Sequence, residues 1–186
     1  MELNTKKATI MVTDIVGYSA FMSDDVRKAM EILEKNRKIH KAAIRKFRGK
    51  FIKEVGDGTV SMYESTIDAV RTAMELWKSC CKEASLHLRI GIHTGNIIIR
   101  YSDIMGDGVN IASMIERCGL PGGIYLSEKA YEDVRTRKDV RVEFHTEKTI
   151  GDCPEPLRIF AIPTERMQKR LFKEKSLQKD SLTEEV

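Results

Sequence analysis

The chain has 186 residues, of which 41% are hydrophobic and 32% charged, a length and balance that suit one domain with a tail. Its net charge of +4 is too small and too dispersed to argue for a nucleic-acid partner. No stretch approaches the roughly 18 apolar residues of a membrane span, and no signal-peptide core opens the chain, so a soluble, cytoplasmic protein is expected.

In chain order, residues 8–13 read as a buried strand, followed by a turn at Gly17. A helical pattern then runs from about 24 to 47, with Val26, Met30, Leu33, Ile44 and Phe47 expected on its inner face and Gly49 ending it. Residues 51–55 and 59–63 read as two strands joined by Gly56-Asp57-Gly58, a strong hairpin signal. Ser65 is expected to cap the next helix, with Asp68 three residues on in the manner of a capping box. Residues 86–93 and 97–101 read as strands separated by a turn at Thr94-Gly95-Asn96. The order strand, helix, strand, strand, helix, strand predicts an α+β fold with a ferredoxin-like βαββαβ core.

Beyond that core, residues 109–117 read as a short helix and 124–126 as a strand, with Ser127 capping a helix to about Arg135. Residues 140–144 and 157–162 read as closing strands. The pattern predicts one domain over 1–163 and a charged tail or linker over 164–186. Cys80, Cys81, Cys118 and Cys153 have no metal-ligand spacing and read as reduced thiols.

Two short runs carry the chemistry. In Thr13-Asp14-Ile15-Val16-Gly17 and Val55-Gly56-Asp57-Gly58, an aspartate stands at the end of an apolar strand, with a glycine close behind it. Side by side, Asp14 and Asp57 would form a carboxylate pair able to hold hard divalent cations over a nucleotide phosphate. Taken singly, Asp14 reads equally as a helix cap and Asp57 as a hairpin residue. Lys53 stands in a strand that otherwise reads apolar, so it must find an acceptor or reach water. His93 reads as a packed histidine rather than a base.

Together, the runs 13–19, 53–58, 89–95 and 103–112 resemble the catalytic domain of class III nucleotidyl cyclases, the adenylyl and guanylyl cyclases, in their bacterial soluble branch. The resemblance extends over about residues 6–162. It implies the class III cyclase homology domain and a reaction that turns ATP into 3′,5′-cyclic AMP and pyrophosphate. It implies two Mg2+ or Mn2+ ions held by Asp14, Asp57 and the carbonyl of Ile15. The turn Val16-Gly17-Tyr18-Ser19 would offer free N–H groups to the β- and γ-phosphates, with Lys148 touching the terminal phosphates. Lys53 and Asp103 would read the adenine base, favouring ATP over GTP, and Asn110 would orient the ribose. The resemblance further implies a homodimer with active sites shared between subunits.

One position departs from that pattern. Four residues after Asn110 the family has an arginine that stabilises transition-state charge, and here stands Met114, whose thioether offers neither charge nor a donor. Three readings are open: a slow enzyme, with or without a substitute cation from Arg117 or Arg100; a heterodimer in which another chain supplies the arginine; or a degenerate module that binds nucleotide and regulates. A cyclase for GTP or a pyrimidine triphosphate is the alternative within catalysis. A polymerase-type or diguanylate-cyclase palm is a distant third, since a Gly-Gly-Asp-Glu-Phe-like turn is absent.

Overall fold

The computed structural model describes residues 5–82, 86–149 and 156–165. Among these, an eight-stranded sheet runs in the order β2-β3-β1-β4-β6-β8-β7, with the short β5 paired to the end of β4. The strands are β1 (Thr5–Ile15), β2 (Lys50–Val55), β3 (Gly58–Tyr63), β4 (Leu88–Arg100), β5 (Asp103–Met105), β6 (Ile124–Ser127), β7 (Glu143–Lys148) and β8 (Leu157–Ile162). The helices are α1 (Tyr18–Asp24), α2 (Val26–Lys46), α3 (Thr66–Cys81), α4 (Asp107–Cys118) and α5 (Glu128–Val134). The first four long strands stand in the order β2-β3-β1-β4, all antiparallel, which is the expected ferredoxin-like core.

β1 lies in the middle of the sheet and is buried on both faces, so its residues read as a nearly unbroken apolar run. Met11 and Ile15 point into a core shared with α2, α3 and α5. Ala8, Ile10 and Val12 point the other way, onto Ile97, Ile104 and Ala112 of α4's side. The domain is thus three layers, helices on both faces of the sheet. Among the described residues, no helix is long and apolar enough to cross a membrane.

The long helix stands as expected, as α2, but several other expectations need correction. A short helix, α1, precedes it, and between the two Asp25 turns extended at φ −150, its carboxylate accepting from the N–H of Lys28 to cap α2. Val26 and Met30 do not face the core and are 58% and 50% exposed. The inward stripe is Ala29, Ile32, Asn36, His40, Ala43 and Ile44, and its two polar members hide it from a hydrophobicity reading. α2 closes with Arg48 N–H bonded to Arg45 O and Gly49 N–H to Ile44 O, the two bonds of a Schellman end. Its left-handed residue is Arg48 at φ 57, not Gly49. Ser65 stands at the cap of α3 but makes no side-chain cap bond there.

The turn expected at residues 94–96 does not exist. β4 runs unbroken for 13 residues and pairs with β1 from Thr5↔Ile98 to Ile15↔Leu88. The chain reverses later, at Tyr101, which takes φ 57. β7 begins at Glu143 rather than near 140, and Lys148 is its last residue, paired with Leu157, rather than part of a loop. Of the tail, only Thr164 and Glu165 fall within the described residues. The Thr164 hydroxyl donates to Gly122 O at 3.1 Å, tying that point of the chain to the domain. Cys153 lies outside the described residues.

Candidate active site

The β1–β3 register, which pairs Thr13 with Thr59, carries the β2–β3 turn to the end of β1. Gly56 takes φ 63 there, a conformation that an L side chain disfavours. The neighbouring Asp57 accepts from the N–H of Ile15 at 3.1 Å, which fastens the hairpin to the strand end beside Asp14. Burial, and then the nearby charge of Asp14, push the Asp57 carboxyl above the usual carboxylate range. Two carboxylates so placed form a site that favours cations.

A third side chain joins them. Asp14 and Arg89 face each other across the β1–β4 ladder, and the Arg89 guanidinium donates to Asp14 at 2.6 Å. On its other side, Arg89 Nε lies 2.9 Å from an oxygen of Glu116 on α4. Glu116 is buried at 4% exposure. Burial pushes its carboxyl up to about 7, against the pull of Arg89. Burial also opposes the charge on Arg89, yet its bond to Asp14 and the attraction of both carboxylates hold it above its ordinary value.

α4 reaches this point because Gly91 has no side chain. A Cβ there would stand 2.4 Å from Ala112 O and 2.5 Å from Glu116 N. Sequence reasoning assigned no role to Arg89 or Glu116. The signal was present: an arginine inside Leu88-Arg89-Ile90-Gly91-Ile92 needs a buried anion for the same reason that Lys53 needs an acceptor.

Lys53 and Asp103 do meet, at 2.7 Å, between β2 and the start of β5. The bond from Lys53, helped by the N–H of Ile104 at 2.7 Å, holds the Asp103 carboxyl below its usual range. Asn110 is exposed in the first turn of α4, Met114 is half-buried one turn on, and Arg117 is exposed in the last turn. Arg100 is exposed at the end of β4, over the ring of Tyr101 at 5.5 Å. Among the described residues, Arg89 is the cation in contact with the aspartate pair, and neither Arg100 nor Arg117 touches it. Lys148 is exposed at the end of β7.

The turn after β1 is partly as expected. Val16 N–H is not free: it donates to His87 O at 2.8 Å, which removes it from the expected phosphate donors. Gly17, at φ 76, opens α1, and the first bonds of that helix are made by the N–H groups of Ala20 and Phe21 to Gly17 O. The N–H groups of Gly17, Tyr18 and Ser19 therefore precede the helical ladder. His93 is buried, its Nδ1 2.9 Å from the Ser127 hydroxyl, and burial lowers its pKa to about 4, so it is a neutral packed residue as expected.

Behind the aspartates lies a second buried histidine. His40 Nδ1 sits 2.9 Å from Asn36 O, so that nitrogen carries the proton, and Nε2 accepts from the Thr13 hydroxyl at 2.9 Å. Burial lowers the His40 pKa to about 4. This neutral pair ties α2 to β1 one residue before Asp14.

The oxygen donors fit a hard dication. Asp14 and Asp57 could supply carboxylates, and the Ile15 main-chain carbonyl could join them. That is the sparse protein share expected of Mg2+, which takes its remaining ligands from water and substrate phosphates.

The sequence model described as "Adenylate and Guanylate cyclase catalytic domain" matches residues 2–153. The chain is 30% identical over 146 residues to "Putative adenylate cyclase 3" of Rhizobium meliloti (strain 1021), covering 74% of this chain and 25% of that protein. It is 26% identical over 151 residues to "Adenylate cyclase, germination specific" of Dictyostelium discoideum, covering 69% of this chain and 18% of that one. The chain thus spans a quarter or less of these relatives. Among solved structures, the fold superposes on an adenylate/guanylate cyclase/hydrolase from Silicibacter pomeroyi with a TM-score of 0.80, at 23% identity and over 88% of this chain and 100% of that one. It superposes on the adenylyl cyclase CyaB from P. aeruginosa with a TM-score of 0.78, at 19% identity and over 89% of this chain and 97% of that one. The fold, the paired aspartate turns and the family match agree: this chain belongs to the adenylate and guanylate cyclase catalytic domain family.

Proposed function

We propose that this domain is an adenylyl cyclase that converts ATP to 3′,5′-cyclic AMP and pyrophosphate. The observation that carries the reading is the meeting of Asp14 with Asp57 at one point of the sheet and of Lys53 with Asp103 at another. In the reaction, the ribose 3′-hydroxyl attacks the α-phosphorus in line. A bond from O3′ to phosphorus forms, the bond to the β-phosphate oxygen breaks, and the hydroxyl proton leaves to solvent. Two Mg2+ or Mn2+ ions on Asp14, Asp57 and the Ile15 carbonyl would polarise the α-phosphate and lower the pKa of the 3′-hydroxyl.

The chain's own groups bind and orient. Lys53 donates to a ring nitrogen of adenine, and Asp103 accepts from the 6-amino group; guanine presents the reverse pattern. Both side chains must exchange their mutual bond for the base. Asn110 orients the ribose. The N–H groups of Gly17, Tyr18 and Ser19 hold the outer phosphates, with Lys148 and the Arg89 guanidinium adding positive charge.

The active sites are shared across a homodimer, the aspartates from one subunit and the base and ribose residues from the other. Support comes from apolar side chains left in water around both clusters. Tyr101 and Met105 flank Asp103 and are 89% and 42% exposed, while Val55 beside the aspartate turn is 63% exposed. The domain works in the cytoplasm, where ATP is available.

Met114 makes the enzyme slow, by on the order of 10²- to 10³-fold for one absent transition-state donor. It also favours a second reading, in which the domain binds nucleotide and regulates without turnover. An assay of the purified protein with Mn2+, using ATP and GTP in turn, separates them. Cyclic AMP from the wild type and none from Asp57→Ala supports the enzyme. Product that persists in Asp57→Ala rules out the metal role, and no product with any metal favours the binding module.

A further inference from the structure

We infer that Glu116 is a positioning residue that draws Arg89 away from Asp14, freeing that aspartate for a divalent cation. The inference rests on the reading of Asp14 and Asp57 as metal ligands.

Arg89 stands between two carboxylates. Its Nη2 donates to Asp14 Oδ2 at 2.6 Å, which takes up one lone pair of that oxygen and sets a positive charge where a dication would stand. Two positive charges on one carboxylate oxygen repel each other. Arg89 therefore competes with metal for Asp14 unless another anion receives it.

Glu116 is the buried carboxyl placed to receive it, and its geometry is that of a bond ready to form. Arg89 Nε and Glu116 Oε1 are buried and 2.9 Å apart, an ion pair whose N–H is not well aligned on the oxygen. The N–H does not point at the oxygen while Nη2 holds Asp14. A small swing of the guanidinium away from Asp14 aligns the pair and satisfies a buried donor and a buried acceptor together. The Glu116 side chain is 6% exposed, against 29% for Asp14, so its attraction for Arg89 is the less screened of the two.

Glu116 is also a fixed point. The backbone of α4 lies against Gly91, two residues along β4 from Arg89, in a contact too close for any Cβ. That contact keeps the Glu116 main chain against β4, within reach of Arg89.

The test is Mn2+ binding by the nucleotide-free protein, read from the electron paramagnetic resonance of free Mn2+, with folding checked by circular dichroism. Glu116→Gln leaves Arg89 with Asp14 alone, and Mn2+ binding weakens by about 10-fold. Adding Arg89→Gln to that variant removes the competitor and restores binding to the wild-type level or better. Arg89→Gln alone binds Mn2+ at least as tightly as wild type, which keeps the test open if Glu116→Gln does not fold. Wild-type affinity in Glu116→Gln, or a double variant no better than the single one, overturns the inference, as does weaker binding in Arg89→Gln. A wild type that binds no more Mn2+ than Asp57→Ala overturns the metal reading beneath it.

Discussion

Arg89 and Asp14 are cross-strand partners on β4 and β1, joined by a hydrogen bond of 2.6 Å at the point where Asp57 also arrives. The aspartate pair is therefore not bare. One of its two negative charges is already balanced by a side chain that is itself shared with a buried glutamate on α4.

Met114→Arg restores a cation to α4, one turn after Asn110. If the rest of the site is competent, turnover with ATP rises by on the order of 10²-fold. Steady-state cyclic AMP formation measures it, and an unchanged rate would show that some other residue already does this work.

Lys53 and Asp103 satisfy each other at 2.7 Å in the absence of a base, so exchanging both changes what the pocket can read. Lys53→Glu with Asp103→Cys shifts preference from ATP toward GTP by about 10-fold or more in kcat/KM, given that each mismatched polar contact costs roughly 1–3 kcal/mol. Competition between the two triphosphates checks this. Selectivity that does not move would sink the base-reading role.

His40 makes stability depend on pH. Its folded pKa of about 4 lies below the ordinary 6.5, so the folded state binds the proton less readily than the unfolded chain. The stabilisation is present above pH 6.5 and is lost as pH falls toward 4. Between pH 7 and pH 5 this one group accounts for about 2 kcal/mol of lost stability. Urea denaturation at both values should show a smaller drop for His40→Gln than for wild type. Equal drops would mean that the acid sensitivity resides elsewhere.

Gly91→Ala places a methyl 2.4 Å from Ala112 O, where the obstacle is backbone and not the end of a flexible chain. The variant should lose about 1–3 kcal/mol of stability. It should also push Glu116 away from Arg89. Thermal unfolding reads the first effect, and an unchanged melting temperature would refute the close packing.

Local pattern carried much of this protein. Gly56-Asp57-Gly58 declared its hairpin, because a glycine beside an aspartate between two apolar runs suits few other conformations. Ser127 caps α5 by accepting from the N–H of Ala130, an interaction that spans three residues and is visible in any window of that size. The βαββαβ order, and with it the meeting of Asp14 with Asp57 and of Lys53 with Asp103, followed from strand and helix periods together with the family resemblance.

Burial of polar groups was not legible in the same way. Asn36 and His40 lie on the inner stripe of α2, so a count of apolar residues rotates the helix and turns Val26 and Met30 wrongly inward. Thr94-Gly95-Asn96 looks like a turn but lies inside β4, because pairing with β1 satisfies its backbone more fully than a reversal would.

The sequence by itself determined most of the elements, the aspartate turns and the departure at Met114, since each is written in residues close along the chain. Only the tertiary structure decided that Arg89 meets Asp14 and Glu116. Those three residues are brought together by an 11-pair ladder between β1 and β4 and by one glycine under α4, and such contacts depend on register and on backbone approach, which no local period encodes.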